Sequence, residues 1–442
     1  MHSALPKALH PLAGRPLVSH VLDSARSLAP DALCLVIGHG AERVREVLAA
    51  PGLAIVMQDP PRGTGDAVRV ALAELPNDGI TLVANGDCPL IPAATLRALA
   101  DLAAEGGLAI LTARVSDPAG LGRVVRDRSG AVRAIVEDKD ASAAERAQAE
   151  IYTGVLAAPT PLLRRYVAAL RDDNAQGEFY LTDVVRLAVG EGAAVKAHVA
   201  IDETEALGVN DRAQLAAIER ILQRRQAEAL LRSGTWIADP ARIDIRGTLE
   251  CGRDVRIDVG CVFEGRVLLA DDVEIAPHCV LRDVSVGART RIEAFSHLDT
   301  ARIGANCRVG PYARLRPGAT LTEDVHVGNF VEVKASTLGP GAKANHLAYV
   351  GDSTVGAHVN VGAGTITANY DGVNKHRTVI EDDVSIGSNC VLVAPVTIGR
   401  GATIGAGSTI AKDAPPGVLT VARARAETVP GWKRPVKKTA PK

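Results

Sequence analysis

From Ile243 to Ile410, aliphatic side chains recur at every sixth position, a period that neither a strand nor a helix uses. The series runs Ile243, Leu249, Val255; then Leu269, Ile275, Leu281; then Val286, Ile292, Leu298. Its longest unbroken stretch is Ile303, Val309, Leu315, Leu321, Val327, Val333. After Val355 and Val361 it pauses, then resumes at Ile386, Leu392, Ile398, Ile404 and Ile410. Strands repeat every two residues and helices every 3.6. Spacing by six predicts a β-helix in which each coil has three short faces and each inward aliphatic stacks on its equivalent one coil on. Gly follows the aliphatic in Val286-Gly287, Ile303-Gly304, Val327-Gly328, Ile398-Gly399 and Ile404-Gly405, and is expected to serve the corner turns. A narrow core of this kind holds ladders of Ile, Leu and Val but few rings. That accounts for a chain of 442 residues with 42 Gly and only 4 Phe, 6 Tyr and 2 Trp.

Two segments depart from the repeat. Residues 341–351 place polar groups where coil residues should stand, and residues 362–382 read as a loop ejected from the solenoid. Insertions on one face of a solenoid are where binding is usually built.

Before the solenoid the pattern is different. Residues 33–38, 80–87 and 108–112 are apolar runs that read as buried parallel strands, and residues 41–48 and 92–104 between them read as helices. This is the rhythm of an α/β sheet, whose ligands sit beyond the carboxyl ends of the strands, where Asp87 falls. Residues 211–232 carry Leu215, Ile218, Leu222 and Leu230-Leu231 with no Gly or Pro, and predict one amphipathic helix joining the halves. The expected division is therefore an α/β domain over 1–210, a helical linker over 211–232, and a β-helix domain with a C-terminal tail over 233–442.

Composition removes several function classes. Fifty Lys+Arg against 51 Asp+Glu give a net charge of −1, so no basic field attracts nucleic acid or an anionic membrane. No run approaches the roughly 18 apolar residues of a membrane helix. The opening Met1-His2-Ser3-Ala4-Leu5-Pro6-Lys7 has no apolar core of a secretory signal. Seven Cys without a C-x-x-C pair argue against a disulfide framework or a zinc site of ordinary spacing, and make the cytoplasm the expected compartment. His278, His297, His326, His346 and His358 lack the paired spacing of a zinc trio, which disfavours a β-helix carbonic anhydrase.

Specific motifs then narrow the reading. They are Leu5-Pro6-Lys7-Ala8-Leu9-His10, Gly63-Thr64-Gly65, Asn85-Gly86-Asp87, Gly122-Arg123, Ile135-Val136-Glu137 and Gly208-Val209-Asn210 in the first half. In the second half they are Ala313-Arg314-Leu315-Arg316-Pro317-Gly318, His346-Leu347-Ala348-Tyr349, Asn369-Tyr370-Asp371-Gly372 and Gly431-Trp432-Lys433-Arg434-Pro435. Together these resemble the bacterial bifunctional enzymes of UDP-N-acetylglucosamine synthesis. That family joins a glucosamine-1-phosphate acetyltransferase to an N-acetylglucosamine-1-phosphate uridyltransferase. The resemblance implies a Rossmann-like nucleotidyltransferase domain, a left-handed parallel β-helix, and a homotrimer whose acetyl-CoA sites are shared between neighbouring chains.

Residue by residue, the resemblance makes His346 the general base that takes a proton from the sugar amine, a task suited to a group titrating near working pH. Arg316 and Lys334 would hold the sugar phosphate, with Tyr349, Asn360, Asn369, Tyr370 and Lys375 around the sugar. Ala363, Ser388, Ala406 and Arg423 would line the acetyl-CoA groove, Ser388 as an oxyanion donor. In the first half, Lys7 would neutralise phosphate charge, and Gln58, Gly63 and Thr64 would recognise uracil. Asn85, Gly86, Gly122, Glu137 and Tyr152 would complete the UTP and sugar site, Tyr152 standing where the family carries Asn. Asp87 and Asn210 would hold Mg²⁺ together with the substrate phosphates.

The family opens with a strand and a loop, Leu-Ala-Ala-Gly-x-Gly-Thr-Arg-Met, that cradles the nucleotide ahead of Leu-Pro-Lys. Here Met1 stands at the Met of that loop. The expectation is that the first strand and the loop are missing from this chain, leaving the neighbouring strands with open edges. An upstream start codon is the favoured explanation, because the other uridyltransferase motifs persist. The alternative is an acetyltransferase only, with an inactive first site.

Overall fold

The computed structural model describes residues 1–38 and 40–435. It divides into two compact units, Met1–Arg225 and Gln226–Lys442.

In the first unit a six-stranded sheet is built around Glu150–Pro159. Leu108–Arg114 pairs antiparallel with it on one side and is itself continued in parallel by Val195–Val199. Arg123–Arg126 and Val132–Val136 extend the other side as a hairpin. The core is aliphatic: Leu108, Ile110, Leu111, Ile151 and Leu156 are all solvent-free. Against this sheet lies the helix Ala93–Ala104, whose buried Leu96, Leu99 and Ala103 recur at helical spacing. It stops where Gly106 and Gly107 adopt left-handed φ values of 92° and 112°, which L side chains rarely adopt.

Two features depart from the sequence reading. The apolar run at residues 80–87 forms only the strand Ile80–Val83, and it runs antiparallel to Glu150–Pro159 rather than in a parallel array. The strand Leu33–Ile37 does pair in parallel, but only with Leu53–Met57, in a separate two-stranded sheet. Among the described residues neither Leu33–Ile37 nor Ile80–Val83 has a strand on its second side. Leu33, Cys34, Leu35 and Val36 are accordingly half-buried.

The second unit is a parallel β-solenoid made of an 11-stranded and a 17-stranded ladder. Equivalent residues lie 17 or 18 apart: Arg291 pairs with Arg308, which pairs with His326, which pairs with Lys343. The sixfold aliphatics point inward as predicted, and Ile303, Val309, Leu315, Leu321, Val327 and Val333 are all buried. The helix Arg212–Arg232 precedes the solenoid.

The glycines that follow the aliphatics do a different job from the one expected. Gly287 and Gly304 have ordinary φ values, but a Cβ on Gly287 would come within 2.5 Å of Gly304, and one on Gly304 would overlap the Thr322 carbonyl. They let successive coils approach. The corners instead carry side-chain-bearing residues in the left-handed region: His278, Phe295, Tyr312, Phe330 and Leu347, with φ between 48° and 60°. Each such residue costs roughly 1–2 kcal/mol. The strain is offset because each corner N–H donates to a carbonyl one coil back, as Tyr312 does to Ala294 at 3.0 Å and Leu347 to Asn329 at 3.1 Å. The four rings of this corner stack at 5.1, 5.0 and 5.4 Å outside the solenoid. The few aromatics are thus largely external, with Phe263 buried in the core.

Candidate functional site

Three groups of side chains converge in the first unit. Lys7, in the short 3₁₀ turn Lys7–Leu9, extends its ammonium to Asp87 Oδ2 at 2.5 Å and Asn210 Oδ1 at 2.7 Å. Segments some 80 and 200 residues apart therefore meet at one cation. Asp87 follows the end of the strand Ile80–Val83, as sheet topology suggested, and its carbonyl accepts from the Val209 N–H at 3.0 Å, which fixes Asn210 beside it. Asn85 packs on Gly154, where a Cβ would clash with its side-chain amide.

The second group stands at the start of the helix Thr64–Leu72. Gln58 donates to the Gly63 carbonyl at 3.0 Å and to Asp66 at 2.9 Å, and Thr64 accepts from the Leu181 N–H at 3.0 Å. Gly63 has φ 102° and lies against Phe179, so no larger residue fits there. The third group is Gly122, Glu137 and Tyr152. The Tyr152 N–H donates to the Gly122 carbonyl at 2.8 Å, and Thr182 donates to Glu137 at 3.1 Å. Burial pushes the Glu137 carboxyl above its ordinary value, against the Thr182 hydrogen bond. Burial, with the charge of Glu137, raises the Tyr152 hydroxyl in the same direction. That hydroxyl has no hydrogen-bond partner among the described residues.

In the solenoid the residues of interest fall into two groups on different faces. Along one ladder, Lys343–His346 ends in His346, and counting on from the Lys343–Asn360 pair places Ala363 over it. Ala363 is followed by Ser388 and Ala406 one coil at a time, through Asn389 N–H to Ala363 O at 2.7 Å and Gly407 N–H to Ser388 O at 2.8 Å. Arg423 donates to the Ala406 carbonyl at 2.7 Å. Asn360 lies on this same face.

Around the corner at Leu347 lies the second group. Arg316 pairs with Glu332 at 2.8 Å, and Lys334 with Asp352 at 3.1 Å. Asn369 donates to the same Asp352 oxygen and lies 3.4 Å from the Tyr349 hydroxyl. Lys375 approaches Lys334: its amine, followed by Asp352, lifts Lys334 above the ordinary lysine value, while the neighbouring Lys334 holds Lys375 below it. Three cations gathered on one patch suit an anionic group such as a phosphate.

The ejected loop is shorter than expected, because Ile366–Ala368 and Thr378–Ile380 remain coil strands. Residues 369–377 form it, closed by the Tyr370–Lys375 bridge and by Asp371, which accepts from Val373 and Asn374 and pairs with His376 at 2.7 Å. The Tyr370 hydroxyl donates back to Gly372, so its ring is held at the exposed loop tip. His346, in turn, does not sit in a break. Its strand keeps register with the coils on both sides, with Lys343 and His346 exposed, while the Asn345 side-chain oxygen is buried without a hydrogen-bond partner among the described residues.

Comparisons with known proteins agree along the chain. The model for a MobA-like NTP transferase domain matches residues 1–235. Those for a GMPPB C-terminal domain and for bacterial transferase hexapeptides (six repeats) match 245–341 and 377–412. The bifunctional protein GlmU of Cupriavidus pinatubonensis is 58% identical over 438 residues, spanning 99% of this chain and 96% of the relative. That of Burkholderia thailandensis is 59% identical with 99% and 97% covered, and that of Bordetella parapertussis 58% identical over 445 residues. The chain belongs to the GlmU family.

As a GlmU it is a bifunctional enzyme, with a nucleotidyltransferase domain followed by a hexapeptide-repeat transferase domain folded as a left-handed β-helix. Its structure also adds groups that sequence reasoning passed over: Thr182 on Glu137, Glu332 on Arg316, Asp352 under Lys334 and Asn369, and Asn329 beside His346. Glu332, Asp352 and Asn329 lie 16 to 18 residues from their partners, one coil away. That offset is the signal that could have found them.

Proposed function

We propose that this chain transfers an acetyl group from acetyl-CoA to glucosamine-1-phosphate, and then a uridyl group from UTP to the N-acetylglucosamine-1-phosphate so formed, giving UDP-N-acetylglucosamine and pyrophosphate. The observation that carries it is identity of 58–59% to GlmU proteins over 99% of the chain. No observation favours acetyl transfer alone.

In the acetyl transfer, Arg316, Lys334 and Lys375 hold the phosphate, and Tyr349, Asn360, Asn369 and Tyr370 surround the sugar. His346 accepts the proton from the amine as its nitrogen attacks the thioester carbon. Ser388 donates to the developing oxyanion, and coenzyme A leaves as the thiol once protonated. Ala363, Ala406 and Arg423 line its groove. The His346 column and the cation patch lie on either side of the protruding Leu347 corner, with no hydrogen bond or ion pair joining them among the described residues. This supports a homotrimer in which one chain's patch faces its neighbour's column.

In the uridyl transfer, a phosphate oxygen of the sugar attacks the α-phosphorus of UTP in line, and pyrophosphate departs. Gln58, Gly63 and Thr64 receive the base; Asn85, Gly86, Gly122, Glu137 and Tyr152 the rest of the nucleotide sugar. Lys7 balances phosphate charge. Asp87 and Asn210 fit Mg²⁺: two hard oxygens already converge on one cationic nitrogen at 2.5 and 2.7 Å. Substrate phosphates and water would complete the coordination of that ion. When bound, Mg²⁺ supplies charge neutralisation on the phosphates.

Among the described residues no helix is long and apolar enough to cross a membrane, and the near-zero net charge favours small-molecule substrates over nucleic acid. We read the enzyme as cytoplasmic, where acetyl-CoA and UTP are available. The test of the acetyl half is His346→Ala: free-thiol release from acetyl-CoA should disappear while the oligomer persists. Retention of most of the rate would remove His346 as base.

A further inference from the structure

His346 Nδ1 lies 2.8 Å from the side-chain oxygen of Asn329, one coil back on the same ladder. We infer that Asn329 is the positioning residue for His346, holding the imidazole as the Nδ1–H tautomer so that Nε2 faces the sugar amine with a free lone pair. This rests on the reading of His346 as the base.

The geometry follows from the solenoid itself. Asn329 and His346 are register partners at the ends of the strands His326–Asn329 and Lys343–His346. Both are followed by a corner residue in the left-handed region, Phe330 at 56° and Leu347 at 48°, so the two side chains leave equivalent backbone positions in parallel. The Leu347 N–H donates to the Asn329 carbonyl at 3.1 Å, which fixes that spacing. One coil further on stands Ala363, a methyl group, so Asn329 is the polar neighbour within the column. A neutral imidazole carries one proton, and the nitrogen that donates cannot be the base. An amide oxygen at Nδ1 accepts that proton's hydrogen bond and leaves Nε2 available. Unlike a carboxylate, it adds no charge to a face that already holds His326 and Lys343, with Arg308 and Glu293 beyond.

The test uses the full chain, with far-UV circular dichroism and the thermal unfolding of the solenoid reporting that each variant is folded. Asn329→Leu removes the acceptor at similar volume. The expected result is a fall in the kcat of acetyl transfer of roughly 10- to 100-fold, taken from the loss of hydrogen-bond partners of metal-ligating His residues, with both KM values within about twofold. Asn329→Asp restores an acceptor, and should recover most of kcat while moving the acidic limb of the pH–rate profile to higher pH, because a carboxylate favours the protonated ring. An unchanged kcat in Asn329→Leu, a loss appearing wholly in KM, or an unmoved limb in Asn329→Asp overturns the inference. Should Asn329→Leu not fold, the Asp variant decides by the limb alone. His346→Ala separates the two levels: if it stays active, the role of His346 fails; if it is inactive while Asn329→Leu is normal, only the positioning role fails.

Discussion

Replacing Lys7 by methionine separates two roles that a lysine at this place can have. Its ammonium sits 2.5 Å from Asp87 and 2.7 Å from Asn210, the two residues assigned to the metal, so it either supports them or balances phosphate charge. As a stabilising ion pair it is worth little. The Lys7 and Asp87 side chains are 38% and 29% exposed, and pairs this open contribute about 0–1 kcal/mol, a Tm change below about 4 °C. As a preorganised charge in the transition state it is worth far more: losing one such donor costs roughly 3–4 kcal/mol, or 10²- to 10³-fold in kcat. Methionine keeps the aliphatic stem and removes the cation, so Asp87 and Asn210 lose a competitor for Mg²⁺. The expected outcome, read by pyrophosphate release across a Mg²⁺ titration, is a 10²- to 10³-fold lower kcat with half-saturation at the same or lower Mg²⁺ and acetyl transfer unchanged. A rise in the Mg²⁺ requirement that accounts for the lost rate would refute the phosphate role and leave Lys7 as a support for the metal ligands.

Leu315→Ala should cost about 2–5 kcal/mol in urea denaturation, since Leu315 is solvent-free between Leu298 and Val333, whereas Val373→Ala in the exposed loop should stay within about 0.5 kcal/mol. Glu137→Gln keeps the oxygen that accepts from Thr182 while removing a half-buried charge. Because burial raises the folded pKa of Glu137, its contribution to stability is fully present below the ordinary carboxylate pKa and is lost as pH rises through the folded value. The variant should therefore melt higher than the parent at neutral pH, with the difference closing as pH falls through that window; a constant offset would contradict the cause assigned to the shift.

The solenoid was readable from sequence because its period is imposed by packing: Val309, Leu315 and Val333 must all point inward whatever the outward residues are. Function along it was less readable. His346 looked like an interruption because outward positions are free to be polar, yet its strand is regular. Asn329 and Asp352 act across coils of 17 or 18 residues, an offset visible only once the coil length is known at each turn. Glycines that resembled corner residues turned out to sit where coils nearly touch, because close approach and positive φ both select Gly. In the first unit, apolar runs located the strands, but direction depends on tertiary pairing, so the antiparallel course of Ile80–Val83 left no local mark. The motif residues around Asp87 and Glu137 were legible through family resemblance; Thr182, which tunes Glu137, lies outside every motif.

The central claim is that one chain performs both transfers in sequence. Its most direct test is to supply the purified full chain with glucosamine-1-phosphate, acetyl-CoA, UTP and Mg²⁺ and to follow all sugar phosphates by chromatography over time. N-acetylglucosamine-1-phosphate should appear first, then UDP-N-acetylglucosamine in step with pyrophosphate. Accumulation of N-acetylglucosamine-1-phosphate with no nucleotide sugar and no pyrophosphate would contradict it.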